Sequence, residues 1–137
     1  MAAPHRPSAP GVAGPGIYSE SAPELRWTGS WAALRSAPEP GPRAGRGETA
    51  SVALHFFGTG VRWVSRCGHA AGVDEVRVDG RLVATVDRWA PRTPYRSTVF
   101  ELHDLPPGEH VVEIRPAYPR GPAPSDDDVV VDAIVVT

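Results

Sequence analysis

Between Val73 and Val86 the chain runs VDEVRVDGRLVATV, with apolar and polar residues alternating on either side of Asp79-Gly80. A period of two belongs to a strand with one buried face, and Asp-Gly tolerates the positive φ angles of a two-residue type I′ turn. The stretch therefore predicts an antiparallel hairpin. Val76 and Val78 should share the core face with Leu82, Ala84 and Val86, while Glu75, Arg77, Arg81 and Thr85 meet water.

The same alternation recurs on both sides of this hairpin. Ala50 to Phe57 places Val52, Leu54 and Phe56 on one face, and Gly58-Thr59-Gly60 turns the chain into Val61 to Ser65, where Val61 and Trp63 alternate. Tyr95 to Leu102 predicts another strand. Leu105-Pro106-Pro107-Gly108 is a turn in which proline presets φ and glycine supplies the left-handed position. Glu109 to Arg115 alternates through His110, Val112 and Ile114, and Val129 to Val136 is apolar at nearly every position, as a strand buried on both sides would be. A short helix is expected only around Trp31 to Arg35. Ser36 to Glu48, rich in Pro and Gly, predicts a surface loop, and residues 1–16 predict a mobile tail with too little apolar surface to offset their ordering entropy. Short strands at regular spacing with almost no helical period indicate one all-β antiparallel sandwich over residues 17–137.

Composition narrows the chemistry. At 137 residues and 41% hydrophobic content the chain can bury roughly 65–70% of its unfolded surface without staples. A net charge of −2 offers no footprint for nucleic acid or an anionic membrane. All 14 basic residues are arginine, which with abundant Ala, Gly and Pro fits the coding bias of a GC-rich genome. Cys67 is the single cysteine, so no intramolecular disulfide and no Cys-rich metal cage can form. The N-terminus lacks the apolar run of a leader or membrane anchor, so the chain as written is expected in the cytoplasm, and exported only if it is a piece of a longer protein.

Four elements in order, namely GTGVRWVS from Gly58, the VRVDGRLVATVD hairpin, FELHDLPPGEHVVEIRP from Phe100 and the terminal VVVDAIVV, resemble a bacterial module of the galactose-binding-like jelly-roll superfamily. The upstream ELRWTGSW is similar to the opening of such modules. The resemblance covers Tyr18 to Thr137 and implies a jelly roll of the carbohydrate-binding kind, often appended to a glycan-active enzyme. It also implies a structural Ca²⁺ near the first and last strands, where Asp132 and Asp128 could be joined by Glu20 or Glu24, although adjacent aspartates also suit a solvated turn. The segment RCGHAAG after Ser65 departs from the Gly-Pro-rich loop expected of relatives.

A sugar site needs an aromatic face for the C–H patch of the ring and planar polar groups for its hydroxyls. The segment DRWAPRTPY offers Trp89 and Tyr95 as platforms with Asp87, Arg88 and Arg92 as polar partners, and Tyr118 could border the same groove. Trp89 could equally cap the edge of the sandwich. Trp27, Trp31 and Trp63 are expected to pack in the core or at its edge. Neither HExxH nor GxSxG occurs, so hydrolase chemistry has no sequence support. Two other readings stand beside a carbohydrate-binding module: an interaction or structural domain that docks on an enzyme partner, and a small catalyst using a groove lined by Arg66, His69, Trp89 and Arg115.

Overall fold

The computed structural model describes residues 12–19, 22–33, 43–67, 72–91, 95–117 and 129–137. Among them there is no helix. Ten strands follow in order: β1 (Gly16–Ser19), β2 (Arg26–Ala33), β3 (Arg43–Gly58), β4 (Val61–Cys67), β5 (Val73–Val78), β6 (Arg81–Asp87), β7 (Tyr95–Leu102), β8 (Gly108–Pro116), β9 (Val129–Val131) and β10 (Ala133–Val136). One sheet has the order β1-β10-β4-β7; the other runs β2-β3-β8-β5-β6, with β9 also paired to β3. Every strand pairing is antiparallel. The predicted all-β sandwich is what forms.

The core lies between the two sheets and is filled by the residues the alternation placed there. Val52, Leu54 and Phe56 of β3, Val61 and Trp63 of β4, Val76 of β5, Val112 and Ile114 of β8, and Ile134 of β10 are all buried in one cluster. Trp27 packs against it from β2. Asp79 and Gly80 have φ of 54° and 81°, the left-handed pair that a type I′ turn requires.

Leu82 departs from the expectation. Val76 pairs with Ala84 but Arg77 pairs with Leu82, so β6 carries one extra residue at Val83. A bulge of this kind reverses the facing of everything beyond it. Leu82 consequently sits opposite the outward-facing Arg77 and is 45% exposed.

Long-range pairing overrides local composition in four further places. Trp31 to Ala33, expected in a short helix, extend β2 by pairing with Gly45, Ala44 and Arg43, while Leu34 and Arg35 lie outside the described residues. Positions 43–48, expected in a loop, belong to β3, which β2 and β9 flank there. Val12 and Ala13, assigned to the tail, are buried: Ala13 N–H donates to His55 O and Phe57 N–H to Ala13 O, both at 2.8 Å. The terminal apolar run is two strands. The chain leaves the larger sheet after Val131 and enters the smaller at Ala133, with Asp132 N–H donating to Val64 O at the crossing.

Candidate functional site

Strands β4, β5, β6, β7 and β8 bring five chain ends to one end of the sandwich. Cys67 pairs with Tyr95, Val73 with Asp87, and Ala117 N–H reaches Val73 O at 2.9 Å. The connections leaving these points include the segment after Asp87 that carries Trp89. On the turn side, at the opposite end, lie Asp79-Gly80 and Thr59-Gly60.

Alternation continues past the end of β6. Val86 is buried, Asp87 exposed, Arg88 buried, Trp89 exposed and Ala90 buried. Arg88 N–H donates to Gly72 O at 3.0 Å, which extends the ladder by one rung. Asp87 Oδ1 accepts the Trp89 N–H at 3.0 Å. Gripped by a buried residue on each side, Trp89 holds its indole outward with 45% of its surface open.

Arg88 is 1% exposed and does not serve as a surface partner for a ligand. Its Nε donates to Asp74 Oδ2 and its Nη1 to the Arg66 carbonyl at 3.1 Å. Asp74 is itself fully buried, and its Oδ1 has no hydrogen-bond partner among the described residues. Burial pushes the Asp74 carboxyl up to about 6, against the opposing charge and hydrogen bond of Arg88. A buried ion pair of this kind contributes little net stability as a pair, but removal of one partner strands the other. Here it fixes the backbone that presents Trp89. The sequence carried the signal for Asp74: the parity that turns Val76 and Val78 inward turns Asp74 inward too, and Arg88 follows Ala84 and Val86 in the same way.

The remaining predicted contacts divide between described and undescribed positions. Tyr95 opens β7 beside Cys67, but its side chain, like Arg92 and Tyr118, lies outside what the structure describes. Of the groove considered for catalysis, Arg115 Nε lies 3.5 Å from Glu75 Oε1, Arg66 lends its carbonyl to Arg88, and His69 is outside the described residues.

For calcium, the opening and closing strands are neighbours, as the resemblance implied: Ser19 pairs with Ala133, next to Asp132. Glu24 lies near Tyr18, whose phenol is pushed above its ordinary 10.0 by burial and then by the Glu24 charge. Asp132 Oδ2, however, accepts Arg96 Nε at 2.8 Å. Among the described residues no three His, Cys, Asp or Glu side chains come together as a metal site, and Glu20 and Asp128 lie outside them. The described residues alone do not assemble a calcium cage.

No protein-family model matches the chain, and no curated protein sequence does. Solved structures of similar fold exist. A two-domain esterase active on acetylated mannans superposes with a TM-score of 0.64 at 20% identity over 87% of this chain, which spans 35% of the esterase. The CBM36-1 domain of a multidomain xylanase from the hindgut metagenome of Trinervitermes trinervoides matches with a TM-score of 0.60 at 15% identity, covering 86% of this chain and 92% of that one. A carbohydrate-binding module CBM36 in complex with calcium and xylotriose matches with a TM-score of 0.56 at 17% identity, covering 85% and 94%. The chain therefore has the jelly-roll β-sandwich fold of these carbohydrate-binding modules.

Proposed function

We propose that this protein is a non-catalytic carbohydrate-binding module, accessory to a glycan-active enzyme, and that it binds a polyhydroxylated ligand at the end of the sandwich marked by Trp89. The observation that carries this reading is the half-exposed indole held outward between two buried residues. A core or edge-capping tryptophan would turn its ring inward, whereas a stacking platform must face water before the sugar arrives. Similarity of fold to modules solved with sugars supports the class of ligand. In the proposed site Asp87 and Arg92 supply polar contacts, Tyr95 and Tyr118 add aromatic surface, and Arg88 holds the segment rigid from beneath.

Pull-down on insoluble polysaccharides and a soluble-glycan panel test this directly. Trp89→Ala is expected to remove binding, with a loss of about tenfold or more in affinity, and to leave the fold unchanged by circular dichroism. A folded wild type that binds nothing across the panel overturns the proposal. The proposal also assigns Asp132, Asp128, Glu20 and Glu24 as calcium ligands; the calcium-bound module of like fold supports this, and the Arg96 bond to Asp132 opposes it. A melting temperature that rises with calcium and falls back with chelator is the expected result, and an unchanged one removes calcium from the reading.

A further inference from the structure

The segment that presents Trp89 hangs on a buried charge pair. Arg88 precedes the indole in sequence and gathers three parts of the fold: Nε donates to Asp74 Oδ2 of β5, Nη1 to the Arg66 carbonyl of β4, and the backbone N–H to Gly72 O. Its neighbours Asp87 and Trp89 are both exposed. The Asp74 carboxylate offsets the desolvation of this guanidinium in a way that the uncharged Arg66 carbonyl does not.

Asp74 is poorly held as an anion. An ionised carboxylate in an interior needs donors on both oxygens, and Oδ1 is buried with no hydrogen-bond partner among the described residues. Opposite Asp74 in the ladder stand Val86 of β6 and Pro116 of β8, neither of them ionisable. Glu75 is engaged with Arg77 and Arg115 on the outer face of the sheet, Asp87 accepts the Trp89 N–H, and Arg96 of β7 donates to Asp132. From β4 come the Arg66 carbonyl and the half-buried Cys67 thiol. Among the described residues the charge that acts on Asp74 is that of Arg88. Burial outweighs it and holds the carboxyl at about 6, so Asp74 changes charge between neutral and mildly acidic solution.

We infer that Asp74 is a positioning residue of the Trp89 site and makes it acid-sensitive: once its charge is lost, Arg88 turns out to water and the indole loses its fixed outward presentation. The exposed positions on both sides give the long Arg88 stem a short path to solvent. The two arrangements are discrete, because a guanidinium is either paired beneath the segment or hydrated above it, and protonation of Asp74 biases one against the other. For its effect on a ligand the inference rests on the proposed binding role of Trp89; for the movement of the indole it rests on the free protein alone. Binding then requires the ionised form. One pH unit below the midpoint about one molecule in ten keeps that form, so affinity at about pH 5 should be about tenfold weaker than at about pH 8.

The test follows the free, isotope-labelled protein by NMR from about pH 4.5 to about pH 8. The Asp74 ¹³Cγ signal reports the charge, and the indole N–H signal missing from Trp89→Phe reports the platform. Both should change with one common midpoint at about pH 6, and the indole should gain fast motion on the acid side. Asp74→Asn should hold the indole in its acid-side state at every pH; should this variant not fold, coincidence of the two wild-type midpoints decides. His69→Gln, which removes the histidine between β4 and β5, should keep the midpoint. An Asp74 that does not titrate in this range, an indole that stays fixed while it does, an Asp74→Asn that follows the wild-type course, or a midpoint lost in His69→Gln overturns the inference. Calorimetric titration with mannopentaose and xylotriose, the sugars bound in two structures of like fold, then reads the effect on a ligand. Equal affinity at both pH values overturns the acid sensitivity of the site, whereas no binding at either bears on the proposed function alone and leaves the NMR midpoints to decide the inference.

Discussion

Replacing Asp79 by Asn removes one charge at nearly constant shape and turns one acceptor oxygen into a donor, and it interrogates the turn side of the sandwich. Asp79 Oδ1 accepts the Val111 N–H at 2.8 Å and Oδ2 meets His110 Nδ1 at 2.7 Å, while His110 Nε2 contacts the Pro106 carbonyl at 2.6 Å. A carbonyl oxygen only accepts, so Nε2 carries a hydrogen, and Nδ1 facing a carboxylate carries the other. The contacts thus select the imidazolium. Burial alone would lower the His110 pKa from 6.5, but the hydrogen bonds to Asp79 and Pro106 and the Asp79 charge outweigh it and raise it. For Asp79, burial raises and the bonds from His110 and Val111 lower, with a net fall below 3.8. Asparagine accepts the positive φ of this position and keeps the Val111 bond through its carbonyl oxygen, so the variant puts a neutral NH₂ donor in place of the charged acceptor facing His110 Nδ1, a partner that suits the neutral imidazole and not the imidazolium.

A hydrogen bond between charged groups contributes about 1.5–3 kcal/mol, and the half-exposed Asp79 side reduces this to about 1–2 kcal/mol. The sign follows from linkage. His110, with a raised folded pKa, stabilises fully below its unfolded value near 6.5 and loses this as pH climbs through the folded value; Asp79, with a lowered one, stabilises above 3.8 and loses this as pH falls. The pair contributes most between about pH 4 and 6.5. Urea denaturation should therefore show Asp79→Asn about 1–2 kcal/mol less stable at about pH 5.5 and close to wild type at about pH 9. A deficit equal at both pH values, or none at the lower one, would refute the assignment of an imidazolium here.

Two further outcomes follow from the burial pattern. Arg88→Met leaves the Asp74 carboxylate buried without its counter-charge and should cost about 3–5 kcal/mol near pH 8. Because Asp74 already has its folded pKa raised to about 6, and loses the lowering contribution of Arg88, stability present at low pH is lost as pH rises, so the deficit against wild type should shrink at about pH 5; a pH-independent deficit would contradict this. Leu82→Ala should cost less than about 0.5 kcal/mol by chemical denaturation because the bulge turns Leu82 outward, where a core leucine would cost about 2–5 kcal/mol. A loss above 2 kcal/mol would mean that β6 pairs in the unbulged register.

Residue alternation made the sandwich legible because each strand with one buried face writes its own period. It reached Val52, Leu54, Phe56, Trp63, Val76 and Ile114 without error. It could not see the extra residue at Val83, since a bulge is set by pairing with β5 and leaves no mark on the alternation of β6 alone. Nor could composition see that Arg43 to Glu48 would be drawn into β3, a position decided by β2 and β9 from distant parts of the chain. In the proposed site, Trp89 is nominated by its residue type and segment, and the structure adds that it is half-exposed. Arg88 was misplaced because its polarity outweighed its parity, and the same parity would have revealed Asp74. The terminal run announced burial on both faces, but only the pairing of β10 with β1 and β4 shows that Ala133 and Val135 join Val64 in a buried cluster separate from the main core.

The pairing of β1 with β10 has a consequence for how fast this protein reaches its native state. Gly16 meets Val136 across about 120 residues of intervening chain, and β9 returns to the start of β3 over about 85. Closing such loops carries an entropic cost that grows with the logarithm of their length and must be met before the contacts formed can compensate it. The β5–β6 hairpin, with its two-residue turn, forms from neighbours in sequence at the least such cost, and β2 with β3, paired at Ala33 and Arg43, is the other pairing of consecutive strands among the described residues. Folding should begin there and be limited by the arrival of the terminal strands, on the millisecond-to-second scale of non-local β topologies. The strand that crosses between sheets at Asp132 would then be the last to dock, and its departure the first step of unfolding.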